Sequence, residues 1–115
     1  MTSARSWRKR LQLAKSLGFA PRTILDGGAF RGLWSKDVAA LFPGAQMILV
    51  EPNPFVQETI QQNVSGIYPQ PVVLNAALGE FQTRASLNLW READADPGAS
   101  LLDHVSGRAG RIIQV

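Results

Sequence analysis

A short stretch near the start of the chain combines an acid with closely spaced glycines. An apolar run that ends at Leu25 is followed by Asp26, Gly27, Gly28 and, after a short gap, Gly32. Glycine permits the positive φ angles of tight turns and lets a ligand lie against the main chain, because no Cβ intervenes. A strand, a glycine turn and a helix in that order form the nucleotide-binding corner of an open parallel sheet. The stretch therefore predicts a cofactor site with Asp26 at the ligand-binding edge, and a purely structural turn is the alternative.

The helix expected to begin at about Gly32 adds a second reason for a cofactor site. The N-terminus of a helix carries N–H groups without helical partners and a partial positive charge. Such groups can bind an anionic part of a ligand, either a phosphate or a carboxylate.

A second acid, Glu51, ends the next apolar run and suits the recognition of a ribose. A carboxylate can accept two hydrogen bonds side by side, so it can hold a vicinal diol. Dinucleotide-binding folds keep an acid at about this position for that purpose. Pro52 steers Glu51 to extended geometry, which fixes the direction of its side chain. The alternative is a solvated acid at the end of a strand.

Three further polar residues, Asn75, Ser100 and His104, are weaker candidates for chemistry. Asn75 follows the third apolar run, and its amide could reach a base edge or could tie up its own turn. Ser100 could reach back over the pocket, but a helix cap ahead of Leu101 explains it better. His104 lacks an acidic partner at catalytic spacing and is interpreted as a surface residue. With one histidine and no cysteine, the chain predicts no metal site.

The elements that position these residues alternate between strands and helices. Unbroken apolar runs, as in buried parallel strands, predict strands at 23–26, 47–50 and 71–75. Helical spacing of apolar residues predicts helices at about 3–17, 32–42 and 53–63. The alternation predicts an α/β fold, a Rossmann-like doubly wound sheet of which the chain holds the N-terminal βαβαβ half.

The three helices carry specific expectations about their faces and ends. The first should bury one face, formed by residues at helical spacing, and end at Gly18; that face is Trp7, Leu11, Ala14 and Leu17. The second should bury Trp34, Val38 and Leu41. In the third, Asn53 suits the N-cap and Pro54 the first helical position.

The pattern changes after the third strand. Alternating polar and apolar residues predict a half-exposed, antiparallel strand at 86–89, and residues 91–100 are expected to form a loop before a final strand at 112–115. No second half of a doubly wound sheet is recognisable, so the chain is expected to be a truncated single domain. Its predicted parts are an N-terminal helix (1–20), a cofactor-binding βαβαβ unit (21–83) and a strand–loop–strand extension (84–115).

Charge and hydropathy bear on partners and compartment. The formal net charge is +3, and basic residues crowd the first helix at Arg5, Arg8, Lys9, Arg10 and Lys15. A solvated helix face explains them better than a contact with nucleic acid or an acidic surface. Because no apolar run approaches the ~18 residues of a membrane span, a cytoplasmic protein with no membrane or nucleic-acid partner is expected.

Four short motifs in a fixed order resemble those of the FkbM-type S-adenosylmethionine-dependent methyltransferases. They are DGGAFRG at 26–32, LFPGA at 41–45, VEPNP at 50–54 and NAALG at 75–79. The similarity covers about residues 23 to 103. It implies the class I methyltransferase fold, S-adenosyl-L-methionine as cofactor, and O-methylation of a hydroxyl on a sugar, polyketide or similar small molecule.

The resemblance also implies a set of cofactor-binding residues. Asp26, Gly28 and Gly32 would line the methionine end, Glu51 would bind the ribose hydroxyls, and Asn75 with Ala76 would approach the adenine. The full implied set is Asp26, Gly28, Ala29, Gly32, Glu51, Pro52, Asn53, Asn75 and Ala76. It includes no residue assigned as catalytic.

The chain departs from the family pattern in three places. Gly27 stands where the family mostly has valine, and Phe30 where it often has asparagine. The later acidic strand motif of the family is absent. These departures keep two alternatives open: a fragment of a nicotinamide-dependent oxidoreductase, and a catalytically inactive module. Phe30 counts against the first, because it occupies the position of the second glycine in the dinucleotide pattern.

Overall fold

The computed structural model describes residues 4–79, 86–89 and 111–114, with side chains from residue 7 to residue 79. Its helices are α1 (Ala4–Ser16), α2 (Leu33–Leu41) and α3 (Gln57–Val64). Its strands are β1 (Thr23–Gly27), β2 (Gln46–Val50), β3 (Val72–Leu74), β4 (Ser86–Leu89) and β5 (Arg111–Gln114). The predictions for Ser100 and His104, and for a loop at 91–100, lie outside the described residues.

The described strands form two sheets, and the larger is parallel. Its strand order is β1-β2-β3, with Leu25 opposite Ile48 and Ile48 opposite Val72. Parallel strands need crossover helices, and α2 and α3 supply them. The second sheet is an antiparallel pair of β4 and β5. The predicted α/β fold is therefore confirmed, and the parallel sheet is compatible with one half of a doubly wound sheet.

The hydrophobic core lies between one face of the parallel sheet and the helices. Met47 and Leu49 on the central strand, and Val56, Ile60 and Val64 from the α3 region, are completely buried. On the opposite face, Leu25, Val72 and Leu74 are exposed. The helices thus cover one face and hold the carboxyl end of β2 rigidly, where the candidate site begins.

A second, smaller cluster joins α1 to α2. Trp7 and Leu11 pack against Val38, Phe42 and Ala45. Near the start of both helices, Trp7 lies beside Trp34, with ring centroids 5.7 Å apart. Beyond the end of α1, Phe19 packs edge-on against Phe42 at the same centroid distance of 5.7 Å. The two helices therefore run in the same direction.

Two expectations about buried faces were wrong. Leu17 is 79% exposed, because α1 ends at Ser16 and the chain turns away. In α2 the buried positions are Ser35, Val38 and Ala39, whereas Trp34 is 40% exposed and leans towards α1. The apolar spacing indicated the helix and the buried Val38 correctly. It placed Trp34 in the core, whereas Trp34 lies on the flank beside α1, which the pattern alone cannot distinguish from the core.

The predicted helix ends are confirmed. Gly18 has φ 100°, its N–H donates to the carbonyl of Lys15, and the N–H of Phe19 donates to that of Ala14, which is the Schellman arrangement. Asn53 caps a short 3₁₀ turn ahead of α3, where its side chain accepts from the Phe55 N–H at 3.0 Å, and Pro54 follows at the first position.

Among the described residues no helix has the length and apolar character to span a bilayer.

Candidate cofactor site

The site is built on the glycine loop, residues 27–32, which joins β1 to α2. Gly28 and Gly32 have φ angles of 77° and 78°, and Phe30 has φ 51°. A bulky residue is rarely found in this left-handed region, which asparagine tolerates better. Phe30 keeps the conformation because its N–H is held and its ring packs partly against the core. The Arg31 guanidinium lies over that ring, 4.9 Å from its centroid.

The main-chain donors of the loop are largely used within the protein. The N–H groups of Gly28 and Ala29 both donate to the Val50 carbonyl, at 2.8 and 3.1 Å. The N–H of Phe30 donates to Glu51 Oε1 at 2.7 Å. At Gly28 and Ala29 the loop continues the backbone hydrogen bonding between β1 and β2, and at Phe30 the acceptor is the Glu51 side chain. These three N–H groups are therefore used within the protein, whereas the expectation of donors for an anion concerns the first turn of α2 and stays a prediction.

What the loop offers a ligand is close approach to the main chain. A Cβ built on Gly28 would have no heavy atom within 4 Å, so the space beside this residue is open. A Cβ on Gly32 would instead lie 3.3 Å from Val64, 3.4 Å from Ile60 and 3.4 Å from Leu49. Gly28 thus faces open space, while Gly32 is buried and lets the start of α2 approach α3 and β2 closely. Ala29 is 7% exposed and belongs to the same core.

Gly27 lies in contact range of a side chain from the segment after β3. A Cβ at this position would lie 2.8 Å from Leu78 Cδ1. Because Leu78 is 61% exposed, a larger residue at position 27 would require only that the end of the Leu78 side chain move aside. The side chain that covers the end of β1 comes from the segment after β3 instead of from β1 itself.

Glu51 is a buried acid that joins the glycine loop to the turn after β2. Its side chain accepts from the Phe30 N–H through Oε1 and from the Asn53 N–H, at 2.9 Å, through Oε2. Glu51 is only 6% exposed, so the alternative of a solvated strand-end acid is wrong. A carboxylate has about four lone-pair positions, and these two contacts leave capacity for a diol.

Polar side chains from α3 and β3 hold the turn that follows Glu51. Gln57 Nε2 donates to the carbonyls of Glu51 and Asn53, at 2.9 and 3.1 Å. Asn75 Nδ2 donates to the carbonyls of Glu51 and Pro52, at 3.1 and 3.0 Å. Asn75 therefore braces the neighbouring turn, an option not considered from the sequence. These bonds fix the backbone that carries the Glu51 carboxylate.

Among the implied cofactor residues, the structure separates buried from accessible groups. Asn53 is fully buried, and its side chain caps the 3₁₀ turn ahead of α3. Pro52 is half-buried, and Asn75 and Ala76 are exposed at the same end of the sheet. The accessible members of the set therefore lie along the carboxyl ends of β2 and β3, and Gly28 lies at the end of β1.

Asp26 is oriented by a helix residue. Ser35 in α2 is fully buried, and its Oγ donates to Asp26 Oδ2 at 2.6 Å. Hydrogen bonds to charged groups are shorter and stronger than neutral ones. The Asp26 carboxylate is therefore held at the carboxyl end of β1, half-buried beside the glycine loop.

Replacing Ser35 by alanine should release the Asp26 carboxylate. We expect Ser35→Ala to lower the free energy of unfolding by about 1–2 kcal/mol, because a hydrogen bond to a charged group is lost. Urea denaturation measures this change. The matched control is Ser65→Ala, since the exposed Ser65 bonds only to the nearby Gln62 carbonyl among the described groups; equal effects of the two variants would contradict the bracing role of Ser35.

Sequence reasoning missed three residues that build the site: Ser35, Gln57 and Asn63. Asn63 Nδ2 donates to the Arg31 carbonyl at 2.9 Å and so ties α3 to the glycine loop. A polar residue on the inward side of an amphipathic helix is a usable signal for Ser35. For Gln57 and Asn63 no signal exists, because their partners are set by how α3 crosses the sheet.

Neither metal chemistry nor known relatives identify the site. The described residues include no cluster of histidine and acidic side chains that could hold a metal ion. Comparisons with models of protein families, with curated proteins and with solved structures found no match. The residues of the site are therefore the basis for a functional proposal.

Proposed function

We propose that the chain binds S-adenosyl-L-methionine and belongs to the FkbM-type, class I O-methyltransferases. The observation that carries this proposal is the glycine loop. It leaves open space at Gly28, but the N–H groups of Gly28, Ala29 and Phe30 already donate to Val50 and Glu51. Such a loop suits a ligand that lies against the main chain without a phosphate. A cofactor built from an amino acid and a nucleoside is of this kind.

The same observation disfavours a nicotinamide dinucleotide. A pyrophosphate at such a corner lies against the main chain of the glycine turn, next to the N-terminus of the helix. Here three N–H groups of the turn point to Val50 and Glu51, and Phe30 occupies the place where the dinucleotide pattern has glycine. A bulky side chain there would hold the pyrophosphate away from the main chain.

Each polar group at the carboxyl ends of the three parallel strands has a matching part of the cofactor. The remaining lone pairs of Glu51 fit the ribose hydroxyls, and the Asp26 carboxylate fits the ammonium of the methionine part. The Asn75 amide nitrogen is used by the turn carbonyls, so its oxygen is the atom left to accept from an adenine amino group. The residues therefore suit the cofactor without a metal ion or a phosphate-binding donor.

The cofactor supplies an activated methyl group, and the protein's task is to position the acceptor. Aligning a hydroxyl oxygen with the methyl–sulfur axis and excluding water provide most of the acceleration in such a displacement. The acceptor would be a small molecule with a hydroxyl group, such as a sugar or polyketide. The described residues position the cofactor, and we assign none of them as the base.

Calorimetry with S-adenosylhomocysteine tests the proposal. We expect the protein to bind this ligand, and Asp26→Asn to weaken binding about ten-fold, because a charged hydrogen bond of about 1.5–3 kcal/mol is lost. The control is Glu58→Gln, an exposed acid in the first turn of α3, which should leave affinity unchanged.

Two outcomes of this experiment would reject the proposal. One is the absence of any heat of binding at millimolar S-adenosylhomocysteine. The other is tighter binding of NAD or NADP than of the sulfonium cofactor or its product, which would favour the oxidoreductase alternative instead.

A further inference from the structure

Helix α1 and the turn after it expose a row of large apolar side chains. Leu13 is 60% exposed, Leu17 79% and Phe19 52%. Leu13 and Leu17, one helical turn apart and here called the α1 flank, lie beside the face of α1 that packs Trp7 and Leu11 on α2, whereas Phe19 packs on Phe42. A single exposed leucine is ordinary on a protein surface, but two on adjacent turns with flanking cations form a candidate interaction surface.

Cationic side chains accompany the α1 flank. Lys9, Arg10 and Lys15 are exposed on α1, and Arg22 is exposed just beyond it. No acidic residue occurs between positions 4 and 22. Arg8, by contrast, is paired with Asp37 of α2. The surface therefore joins apolar groups to an excess of positive charge.

A cleft opens at the end of α1, next to Phe19. Its volume is about 360 Å³, and it is lined by residues from the end of α1 and the end of α2: Lys15, Gly18, Phe19, Ala20, Pro21, Phe42 and Pro43. Lys15 is the charged member of this lining. An apolar cleft with a cation in its wall suits an amphiphile with a negatively charged head.

We propose that the α1 flank docks the protein on an anionic lipid surface. Interfacial helices insert apolar side chains to the level of the headgroups while Lys and Arg bind anionic lipids. Leucine side chains contribute to lipid binding, but they offer nothing to a nucleic acid, which needs cations and stacking aromatic rings. The exposure of Leu17 is the observation behind this docking surface, which departs from the expectation that the chain has no membrane partner.

Vesicle co-sedimentation of the 115-residue chain tests this docking surface. We expect binding to phosphatidylcholine vesicles that contain phosphatidylglycerol, weak binding to phosphatidylcholine alone, and release by added salt. The double variant Leu13→Gln/Leu17→Gln should bind at least ten-fold more weakly. Lys9→Gln and Arg10→Gln should each weaken binding about five-fold.

Matched controls lie on α2. Leu33→Gln and Lys36→Gln change exposed residues of the same types and should leave vesicle binding unchanged. Circular dichroism should show that all variants keep the parent fold, since every substituted side chain is exposed.

Three results would overturn the docking surface. The first is no preference for anionic vesicles. The second is tighter binding to a single-stranded oligonucleotide that the leucine variants do not affect. The third is a change of sedimentation coefficient in the leucine variants without a change in vesicle binding, which would assign the α1 flank to self-association.

Discussion

Gly32→Ala should destabilise the fold much more than Gly28→Ala, although both glycines have nearly the same φ angle. At Gly32 the new methyl group meets Leu49, Ile60 and Val64 at 3.3–3.4 Å. Overpacking of a core and a left-handed alanine together should lower the free energy of unfolding by about 3 kcal/mol. At Gly28 nothing lies within 4 Å, so only the conformational cost of about 1 kcal/mol remains.

The same pair should behave in the opposite way towards the cofactor. A methyl group on Gly28 fills the open space beside the loop, so Gly28→Ala should abolish measurable binding of S-adenosylhomocysteine while the protein stays folded. Urea denaturation and calorimetry on both variants give the two quantities. Equal losses of stability would contradict the packing role of Gly32, and unchanged affinity of Gly28→Ala would contradict cofactor binding at this loop.

Glu51→Gln should lower both stability and cofactor affinity. A glutamine keeps one acceptor oxygen, but its NH₂ group must face the N–H of either Phe30 or Asn53, where the carboxylate now accepts. A buried donor left without an acceptor costs about 1–3 kcal/mol. We expect a loss of about 2 kcal/mol in the free energy of unfolding and at least a ten-fold loss of affinity for S-adenosylhomocysteine.

Glu58→Gln is the matched control for this substitution. Glu58 is exposed in the first turn of α3, where an acid contributes less than about 1 kcal/mol through the helix dipole. Two results would separate the roles of Glu51. If Glu51→Gln is as stable as the parent, the two hydrogen bonds are not structural. If it is destabilised but binds the ligand unchanged, Glu51 does not contact the ribose.

The helix ends and the central strand could be predicted because each depends on a few neighbouring residues. Gly18 ends a helix because a left-handed residue is needed there, and Asn53 with Pro54 begins the next because the first N–H groups need a cap. The unbroken apolar run at 47–50 indicated a buried parallel strand, and it became the centre of the sheet. These expectations depend on a few neighbouring residues, so the sequence alone suffices for them.

The faces of the helices were less predictable. Spacing placed Trp34 and Leu17 inward, yet both are exposed. Trp34 lies on the flank beside α1, and Leu17 follows the end of α1 at Ser16, where the chain turns away. Periodicity specifies that a helix has an apolar stripe, but not which neighbour will cover it. The exposed apolar residues of the α1 flank could therefore be identified only from the packing of the helices, not from periodicity.

Short patterns along the chain predicted the order of strand, glycine turn and helix and the positions of Asp26 and Glu51 near strand ends. The burial of Glu51, the bracing of the neighbouring turn by Asn75 and the internal use of the loop N–H groups emerge only in the folded chain. Hydrogen bonds between distant segments depend on how the segments cross. No spacing along the chain encodes the partner of Gln57, Asn63 or Asn75, because each pairs with a backbone carbonyl that every residue possesses.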